Sequence, residues 1–246
     1  MPLAREMRGT IVDMHVHTVR GAADSSLTLE ELTREAHRVG LGGVVISEHD
    51  RCWDRREVEE FSHSSGLLVV RGMEVSTDLG HIIALGLEGY VPGIHRAAEL
   101  RRVVDEVGGF MIAAHPFRHF LDPAPHRRDG RRPLSLNPEA IVGLPIFQVV
   151  DEVEVANGGT SPQENYLALL AARILGKSGI GASDAHSGHG LGCFATAFEA
   201  QLEDEGHLIA ELRAGRYRPV EGLLSGGITA YGEGVVDVDL SLLRAE

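Results

Sequence analysis

The chain has 246 residues, 43% hydrophobic and 24% charged, which suits one globular domain with a sizeable core. Its 36 acidic residues outweigh 23 Lys and Arg, and the formal net charge of −13 disfavours binding to long nucleic acids or anionic membranes. The sequence contains no run of apolar residues long enough to span a bilayer, and its start, MPLAREMRGT, lacks the apolar segment of a secretory signal. We therefore expect a cytoplasmic protein with one domain over residues 1–246.

Apolar segments rich in Val and Ile alternate with amphipathic segments along the chain. Strands are predicted at residues 10–14, 43–47, 67–75, 81–87, 110–114, 147–155 and 179–182. Helices are predicted at residues 29–39, 55–62, 97–107, 163–175 and 203–214. Thr28, followed by Glu31, predicts a capping box at the start of the first helix. This alternation is typical of βα units that form a largely parallel sheet or barrel.

Two segments depart from this alternation. Residues 117–138 contain four prolines and several arginines, so we expect a lid or substrate loop there. Part of this loop is a basic patch formed by Arg127, Arg128, Arg131 and Arg132. Such a patch could attract a phosphorylated substrate, although charge runs in loops are usually only solvated. Residues 219–246 are punctuated by glycine and then alternate in hydrophobicity, which predicts a strand-like C-terminal extension.

Residue types that bind metals stand at the carboxyl ends of the predicted strands. The set comprises His15, His17, His49, Glu74, His115, Asp184 and His186. Residues two apart on a strand point to the same side, so His15 and His17 share a face, as do Asp184 and His186. His81 stands instead at a strand start, and it reaches the same rim only if the third and fourth strands form a hairpin.

The carboxyl ends of parallel strands gather on one rim, where functional sites form. A single histidine at a strand end is more often a hydrogen-bonded core residue than a ligand, but packing does not explain a whole set at equivalent positions. Imidazole and carboxylate groups together suit Zn, Mn or Fe. The sequence therefore predicts a metal centre on this rim.

The motifs occur in a defined order: Asp13-x-His15-x-His17-Thr18, Ser47-Glu48-His49, Gly72-Met73-Glu74, Ala114-His115-Pro116 and Ser183-Asp184-Ala185-His186. Together they resemble the PHP (polymerase and histidinol phosphatase) superfamily, and the resemblance extends to about residue 220. It implies a single PHP domain with an α/β fold, a distorted seven-stranded (β/α)7 barrel of the TIM-like kind. Glu48 stands where this family more usually has Asp, and we expect it to orient an imidazole.

The resemblance also implies three divalent ions, which would be Mn, Fe or Zn. The first ion would be held by His15, His17, Glu74 and Asp184. Glu74 would bridge to a second ion, held also by His81 and His115. The third ion would be held by Asp24, His49 and His186. The alternative for Asp24 is an ordinary turn or helix-entry residue.

Such a site implies a metal-dependent phosphoesterase that hydrolyses a small phosphomonoester, for example a nucleotide or sugar phosphate, with a metal-activated hydroxide. Arg118 and Arg20 are candidate phosphate ligands because a guanidinium fork matches two oxygens. His189 is a candidate acid for the leaving group, and the alternative for Arg20 and His189 is a solvated loop position. Glu154 and Asn157 match a Glu-x-x-Asn pattern of the family, and we expect them to support the site.

Other functions remain as alternatives. A 3'-exonuclease acting on short oligonucleotides is the second choice, followed by histidinol phosphatase and by a metal-binding PHP module without activity. An amidohydrolase often bridges its metals with a modified lysine at a strand end, but Lys177, the only lysine, precedes the last predicted strand and lies at the wrong rim. Cys52 and Cys193 match neither a disulfide framework nor a Cys zinc site, and we expect both to serve packing.

Overall fold

A computed structural model describes residues 9–121 and 138–233. It contains ten strands: β1 (Ile11–Val16), β2 (Gly43–His49), β3 (Leu68–Thr77), β4 (Gly80–Leu85), β5 (Phe110–Ala113), β6 (Glu152–Asn157), β7 (Ile180–Ala182), β8 (Phe194–Phe198), β9 (Tyr217–Glu221) and β10 (Thr229–Ala230). The α-helices are α1 (Leu29–Val39), α2 (Arg55–Ser65), α3 (Ala97–Val107), α4 (Pro138–Val142), α5 (Pro162–Ile174) and α6 (Glu205–Ala214). Two short 3-10 helices lie at Pro145–Gln148 and Leu223–Ser225.

The strands form one mixed sheet in the order β10-β9-β8-β1-β2-β3-β4-β5-β6-β7. Pairing is parallel except around β4, which is antiparallel to both β3 and β5, and in the run β1-β8-β9-β10, where each neighbouring pair is antiparallel. The sheet curls, because Val16 at the end of β1 forms an isolated parallel bridge with Ala185 just after β7. The carboxyl ends of the parallel strands are therefore brought toward a common rim.

The predicted α/β class is confirmed, but the predicted strand count of seven is wrong. Strands β8, β9 and β10 extend the sheet beyond β1 by antiparallel pairing. Sequence patterning missed them because they are short and fall in a glycine-rich part of the chain. The segment expected to be strand from residue 147 is a 3-10 helix at Pro145–Gln148, and β6 begins only at Glu152.

The two segments that departed from the alternation are only partly covered. Of the expected lid, residues 117–121 are described, whereas residues 122–137 and the four arginines of its basic patch lie outside the described residues. The expected extension contributes the end of β9 and all of β10 to the main sheet, so its first part belongs to the fold. The alternating segment at 235–240 lies outside the described residues.

Helix boundaries follow local chemistry. Thr28 Oγ1 accepts a hydrogen bond from Glu31 N at the start of α1, which is one of the two bonds of the capping box predicted there. A complete capping box opens α5, where Ser161 and Glu164 exchange bonds between side chain and backbone. Helices α1, α2, α3 and α6 each end at a glycine in the left-handed conformation, which a residue without Cβ adopts at low cost.

The buried core is divided into three clusters. One packs α3 and α5 against the sheet around Met73 and Val153, and a second packs α1 and α2 around Ile46. The third joins Met14 of β1 to Leu208 of α6. Among the residues described, no helix combines the length and apolar character needed to cross a membrane. The packing of the three core clusters holds the strand ends in fixed positions relative to one another.

Candidate metal centre

The β3–β4 hairpin explains how His81 joins the other candidate ligands. Ser76 pairs with His81 across the hairpin, so the start of β4 lies beside the end of β3. His81 Nδ1 is 2.6 Å from Glu74 Oε1, and His115 Nε2 is 2.9 Å from the same oxygen. The hairpin that His81 needs in order to reach the rim is therefore present. It places His81 at the same Glu74 oxygen that His115 contacts.

The other oxygen of Glu74 faces three imidazoles. Glu74 Oε2 lies 3.3 Å from His15 Nε2, 3.2 Å from His17 Nε2 and 3.0 Å from His49 Nδ1. The Nε2 atoms of His15 and His17 are themselves only 2.9 Å apart. Asp184 Oδ1 completes this group, at 3.5 Å from His15 Nε2 and 3.4 Å from His17 Nε2. Carboxylate oxygens and ring nitrogens thus converge on a common space.

Asp24 reaches the cluster from the loop between β1 and α1. Its Oδ2 lies 3.4 Å from His49 Nε2 and 3.5 Å from His186 Nε2. The His17 ring lies between those of His49 and His186, with its centroid 4.4 Å from each. The structure therefore brings together all nine residues that the sequence proposed as metal ligands, and it places His17 beside the third group as well as the first.

The donor set fits divalent cations. Three overlapping groups have donor atoms within 4.8 Å of one another: His15, His17 and Asp184; His15, Glu74 and His115; and His17, His49 and His186. Glu74 Oε2 is buried yet accepts no hydrogen bond, which costs free energy unless another group compensates its charge. Imidazole nitrogens with carboxylate oxygens are a donor set typical of Zn, Mn and Fe sites.

Electrostatics favour ionised carboxylates in this cluster. Burial alone would raise the pKa of Glu74, but His15 and the hydrogen bonds from neighbouring histidines hold it far below its usual range. The pKa of Asp184 is likewise lowered against its burial by His15, His17 and Arg118. Burial lowers the pKa of His15, but the carboxylates around it outweigh that effect and raise the pKa well above its usual value. The protein thus places negative charge where it would face a cation.

The backbone is strained at two of the proposed ligand positions. His115 has φ 29° and Asp184 has φ 54°, and both values lie where residues with a Cβ are uncommon. Each residue lies two positions after the end of a strand, β5 for His115 and β7 for Asp184. Such strain persists only where the surrounding structure over-determines it, and it concentrates at functional sites.

Buried polar residues that surround the cluster hold the proposed ligands in position. Glu154 Oε1 lies 3.2 Å from His15 Nδ1, and its Oε2 accepts a 2.6 Å hydrogen bond from His115 N. Asp13 Oδ1 accepts from Ser183 N at 2.9 Å, which joins the ends of β1 and β7. Burial raises the pKa of Asp13 to about 6. These contacts fix the ring orientation of His15 and the spacing of two strand ends.

The proposed substrate residues differ in their surroundings. Arg118 Nη2 donates to Asp184 Oδ2 and, at 2.8 Å, to Asn157 Oδ1, so Arg118 borders the cluster. Arg20 instead forms a 2.6 Å ion pair with Glu57, and its guanidinium carbon lies 4.7 Å from the centre of the Trp53 ring. His189 is exposed on the turn that follows His186. The roles of Arg118, Arg20 and His189 toward a substrate remain predictions.

Sequence reasoning included Thr18 only as the last residue of a motif, with no role, and it did not identify Trp53 as part of this region. Both bind the buried carboxylate of Glu48, which lies 3.9 Å from His17 Nδ1. Their contacts depend on loop geometry that no periodicity reveals. Lys177 is remote from the cluster, since its Nζ donates to the carbonyl oxygens of Val150 and Asp151, at 3.2 and 2.6 Å. The sequence analysis rejected Lys177 as a metal-bridging residue, and its distance from the cluster agrees with that conclusion.

The chain is similar to known proteins in its C-terminal part and in its fold. A family profile described as PHP-associated matches residues 162–217. An uncharacterized protein of Methanocaldococcus jannaschii, MJ1587, is 28% identical over 114 residues, and the match covers 43% of this chain and 67% of that protein.

Three solved structures share the fold. A Bifidobacterium adolescentis protein described as a candidate metal-dependent phosphoesterase has a TM-score of 0.56 at 20% identity, covering 83% of this chain and 96% of its own. A two-domain Bacteroides vulgatus protein with a PHP-like phosphoesterase domain has a TM-score of 0.57 at 18% identity, covering 86% of this chain and 64% of its own. A Chromobacterium violaceum amidohydrolase, solved with sulfate and without metal, has a TM-score of 0.53 at 19% identity, covering 84% and 96%.

The fold and the site define a mixed α/β protein with a curled sheet and a convergent histidine–carboxylate cluster at one rim. The PHP-associated profile matches residues 162–217, and the solved structures, at 20% identity or less, share the fold of this chain.

Proposed function

We propose that this protein is a metal-dependent phosphoesterase that hydrolyses a small phosphomonoester, such as a nucleotide or a sugar phosphate. The observation that carries the proposal is the convergence of nine side chains of types that bind metals, with the buried Glu74 Oε2 accepting no hydrogen bond among them. Proteins of similar fold are described as metal-dependent phosphoesterases or as an amidohydrolase, which supports a metal-dependent hydrolase as the broader class.

Three divalent ions are proposed, with Mn, Fe and Zn as candidates. The proposed ligands of the first are His15, His17, Glu74 and Asp184; those of the second are Glu74, His81 and His115; those of the third are Asp24, His49 and His186. Divalent ions held there would lower the pKa of water and neutralise charge on phosphate oxygens.

The protein's own groups orient this chemistry. Glu154 faces His15 Nδ1, so the opposite nitrogen, Nε2, is left to face the cluster. Arg118 is proposed to bind a phosphate oxygen, because its guanidinium borders Asp184 and keeps further N–H groups beyond those that Nη2 uses. His189 is proposed to donate a proton to the leaving group from the turn after His186. Arg20 has less support as a phosphate ligand, since Glu57 and Trp53 already engage it.

A short-oligonucleotide 3'-exonuclease is the second candidate. The basic patch in residues 117–138 favours it, whereas the net charge of −13 favours a small substrate. Histidinol phosphatase and a module without activity follow. Lys177 lies away from the cluster, which is evidence against the type of amidohydrolase that bridges its metals with a modified lysine.

The test is turnover by metal-stripped protein reconstituted with Mn, Fe or Zn. The substrates are a panel of phosphomonoesters, a phosphodiester and a short oligonucleotide, and Asp184→Asn is the control. We expect phosphate release from monoesters that requires metal and disappears in the control. Cleavage of only the diester or the oligonucleotide would favour the exonuclease. Metal-independent turnover would contradict the proposal.

A further inference from the structure

The loop formed by residues 18–26, here named the Asp24 loop, is held at both ends by contacts that involve none of the candidate metal-donor atoms. We infer that Trp53 and Arg20 are positioning residues that hold this loop and thereby set the affinity of the metal position formed by Asp24, His49 and His186. The inference rests on the proposed metal-dependent function and assigns to that site two residues that contact none of its donor atoms.

The inner end of the loop is fixed by Glu48, which is fully buried. Glu48 Oε1 accepts hydrogen bonds from Thr18 Oγ1 at 2.5 Å and from Trp53 Nε1 at 3.1 Å. Thr18 N also lies 3.3 Å from both carboxylate oxygens. Because one oxygen serves both donors, Trp53 fixes the carboxylate that in turn fixes the first residue of the loop.

The close approach of the loop to Glu48 depends on Gly21. A Cβ at residue 21 would lie 2.3 Å from Glu48 Cγ and 2.4 Å from Cδ, so any other residue there would require the Glu48 side chain to shift. Gly21 therefore leaves room for the Glu48 side chain. The turn itself is closed by hydrogen bonds from Gly21 N and Ala22 N to Thr18 O.

The outer side of the loop is fixed by Arg20. Its guanidinium stacks on the Trp53 ring, with 4.7 Å between the guanidinium carbon and the ring centre, and pairs with Glu57 of α2 at 2.6 Å. Trp53 is 4% exposed and packs 6.1 Å from Phe61, which gives the stacked guanidinium a rigid platform. The loop is thereby tied to α2 as well as to β2.

The C-terminal end of the loop contacts the segment that follows β7. Ser26 N donates to His186 O at 2.8 Å, and Ser25 Oγ donates to His17 O at 2.9 Å. Asp24 lies between these anchors, and its side chain is 61% exposed. Packing around the Asp24 carboxylate is therefore slight, and its position depends on how the loop is held. Freeing such a loop would add the entropy cost of ordering it to each binding event.

The experiment titrates metal-stripped protein with Zn²⁺ by calorimetry and counts ions and affinities. Asp24→Asn identifies which ion uses Asp24. Trp53→Phe keeps an aromatic ring but removes the Nε1 donor, and we expect it to weaken that same ion by roughly 10- to 100-fold, as for other residues that orient ligands. Arg20→Gln should weaken it by roughly threefold or more.

Arg56→Gln is the matched control. Arg56 forms a 2.7 Å ion pair with Glu60 on the same helix but does not contact the Asp24 loop, so all ions should bind with unchanged affinity. A merely structural role for Trp53 would lower thermal stability and weaken every ion alike. If Trp53→Phe does not fold, Arg20→Gln tests the inference instead, because Arg20 is exposed and its substitution should leave the fold intact.

Trp53 is the only tryptophan in the chain, so its fluorescence reports on this anchor directly. We expect Zn²⁺ to shift Trp53 emission and reduce its quenching by acrylamide in the wild type, with loss of both responses in Asp24→Asn. Selective weakening in Trp53→Phe and Arg20→Gln supports the inference. Unchanged binding in both variants, or no effect of Asp24→Asn, overturns the inference alone, whereas wild-type protein that binds no metal overturns the proposed function with it.

Discussion

Arg118 and Asp184 form an ion pair at the edge of the ligand cluster, and the two oxygens of Asp184 face different partners. Oδ2 accepts from Arg118 Nη2, while Oδ1 lies 3.5 Å from His15 Nε2 and 3.4 Å from His17 Nε2. Asn157 supports the pair, since its Oδ1 accepts from the same Arg118 nitrogen at 2.8 Å. One carboxylate therefore links the proposed metal position to the proposed phosphate ligand.

Arg118→Lys should reduce kcat/KM for a phosphomonoester by roughly 10- to 100-fold, because an ammonium lacks the planar fork that can bind Asp184 and phosphate together. Most of the loss should appear in KM, and the metal content should be unchanged. Arg102→Lys is the control, since Arg102 is exposed on α3 and pairs there with Glu99. Equal kinetics for the wild type and Arg118→Lys would contradict a role for the guanidinium in substrate binding.

His15→Ala and Asp184→Asn should each lower turnover by more than about 100-fold, which exceeds the usual effect of residues that only orient ligands. His63→Ala is the control, because His63 is exposed on α2 away from the cluster. Circular dichroism should show a folded protein in all three variants. Metal analysis then separates lost binding from lost chemistry, and full activity in either cluster variant would refute the assigned site.

Gly21→Ala should lower the free energy of unfolding by about 1–3 kcal/mol, because the new Cβ would overlap the Glu48 side chain in a filled space. Gly89→Ala is the matched control, since a Cβ at residue 89 meets nothing within 4 Å. Urea unfolding of both variants measures the difference. Equal stability would show that Glu48 can move aside at little cost.

Glu152→Gln should change how stability depends on pH. Glu152 is buried and accepts a hydrogen bond from the Tyr217 hydroxyl, and burial raises its pKa. A carboxyl with a raised folded pKa contributes stability below its unfolded pKa, about 4.3, and that stability is lost as the pH rises through the folded pKa.

The wild type should therefore lose stability relative to Glu152→Gln across that pH window, because the amide does not ionise. Glu60→Gln, at an exposed position on α2, should not show this difference. The measurement is urea unfolding at several pH values from 4 upward. A constant difference between the wild type and Glu152→Gln would mean that Glu152 titrates as it does in the unfolded chain.

Much of the fold follows from local patterns. Helices α1 and α3 have the boundaries that periodicity and capping residues predicted, and the βα alternation gave the right class. The added strands β8 and β10 were not predicted, because Phe194–Phe198 and Thr229–Ala230 are too short to show a period. Their pairing depends on contacts with β1 and β9 that are distant along the chain.

The sequence by itself determined which residues could bind metal, because a strand's alternation places His15 and His17 on one side and strand ends meet at one rim. Only the tertiary structure decided how they meet. The β3–β4 hairpin places His81 beside Glu74. The Asp24 loop places Asp24 beside His49 and His186, and the loop itself contacts Glu48 and Trp53. Spacing along a strand is fixed by backbone geometry, whereas a loop takes its position from side-chain contacts between distant parts of the chain.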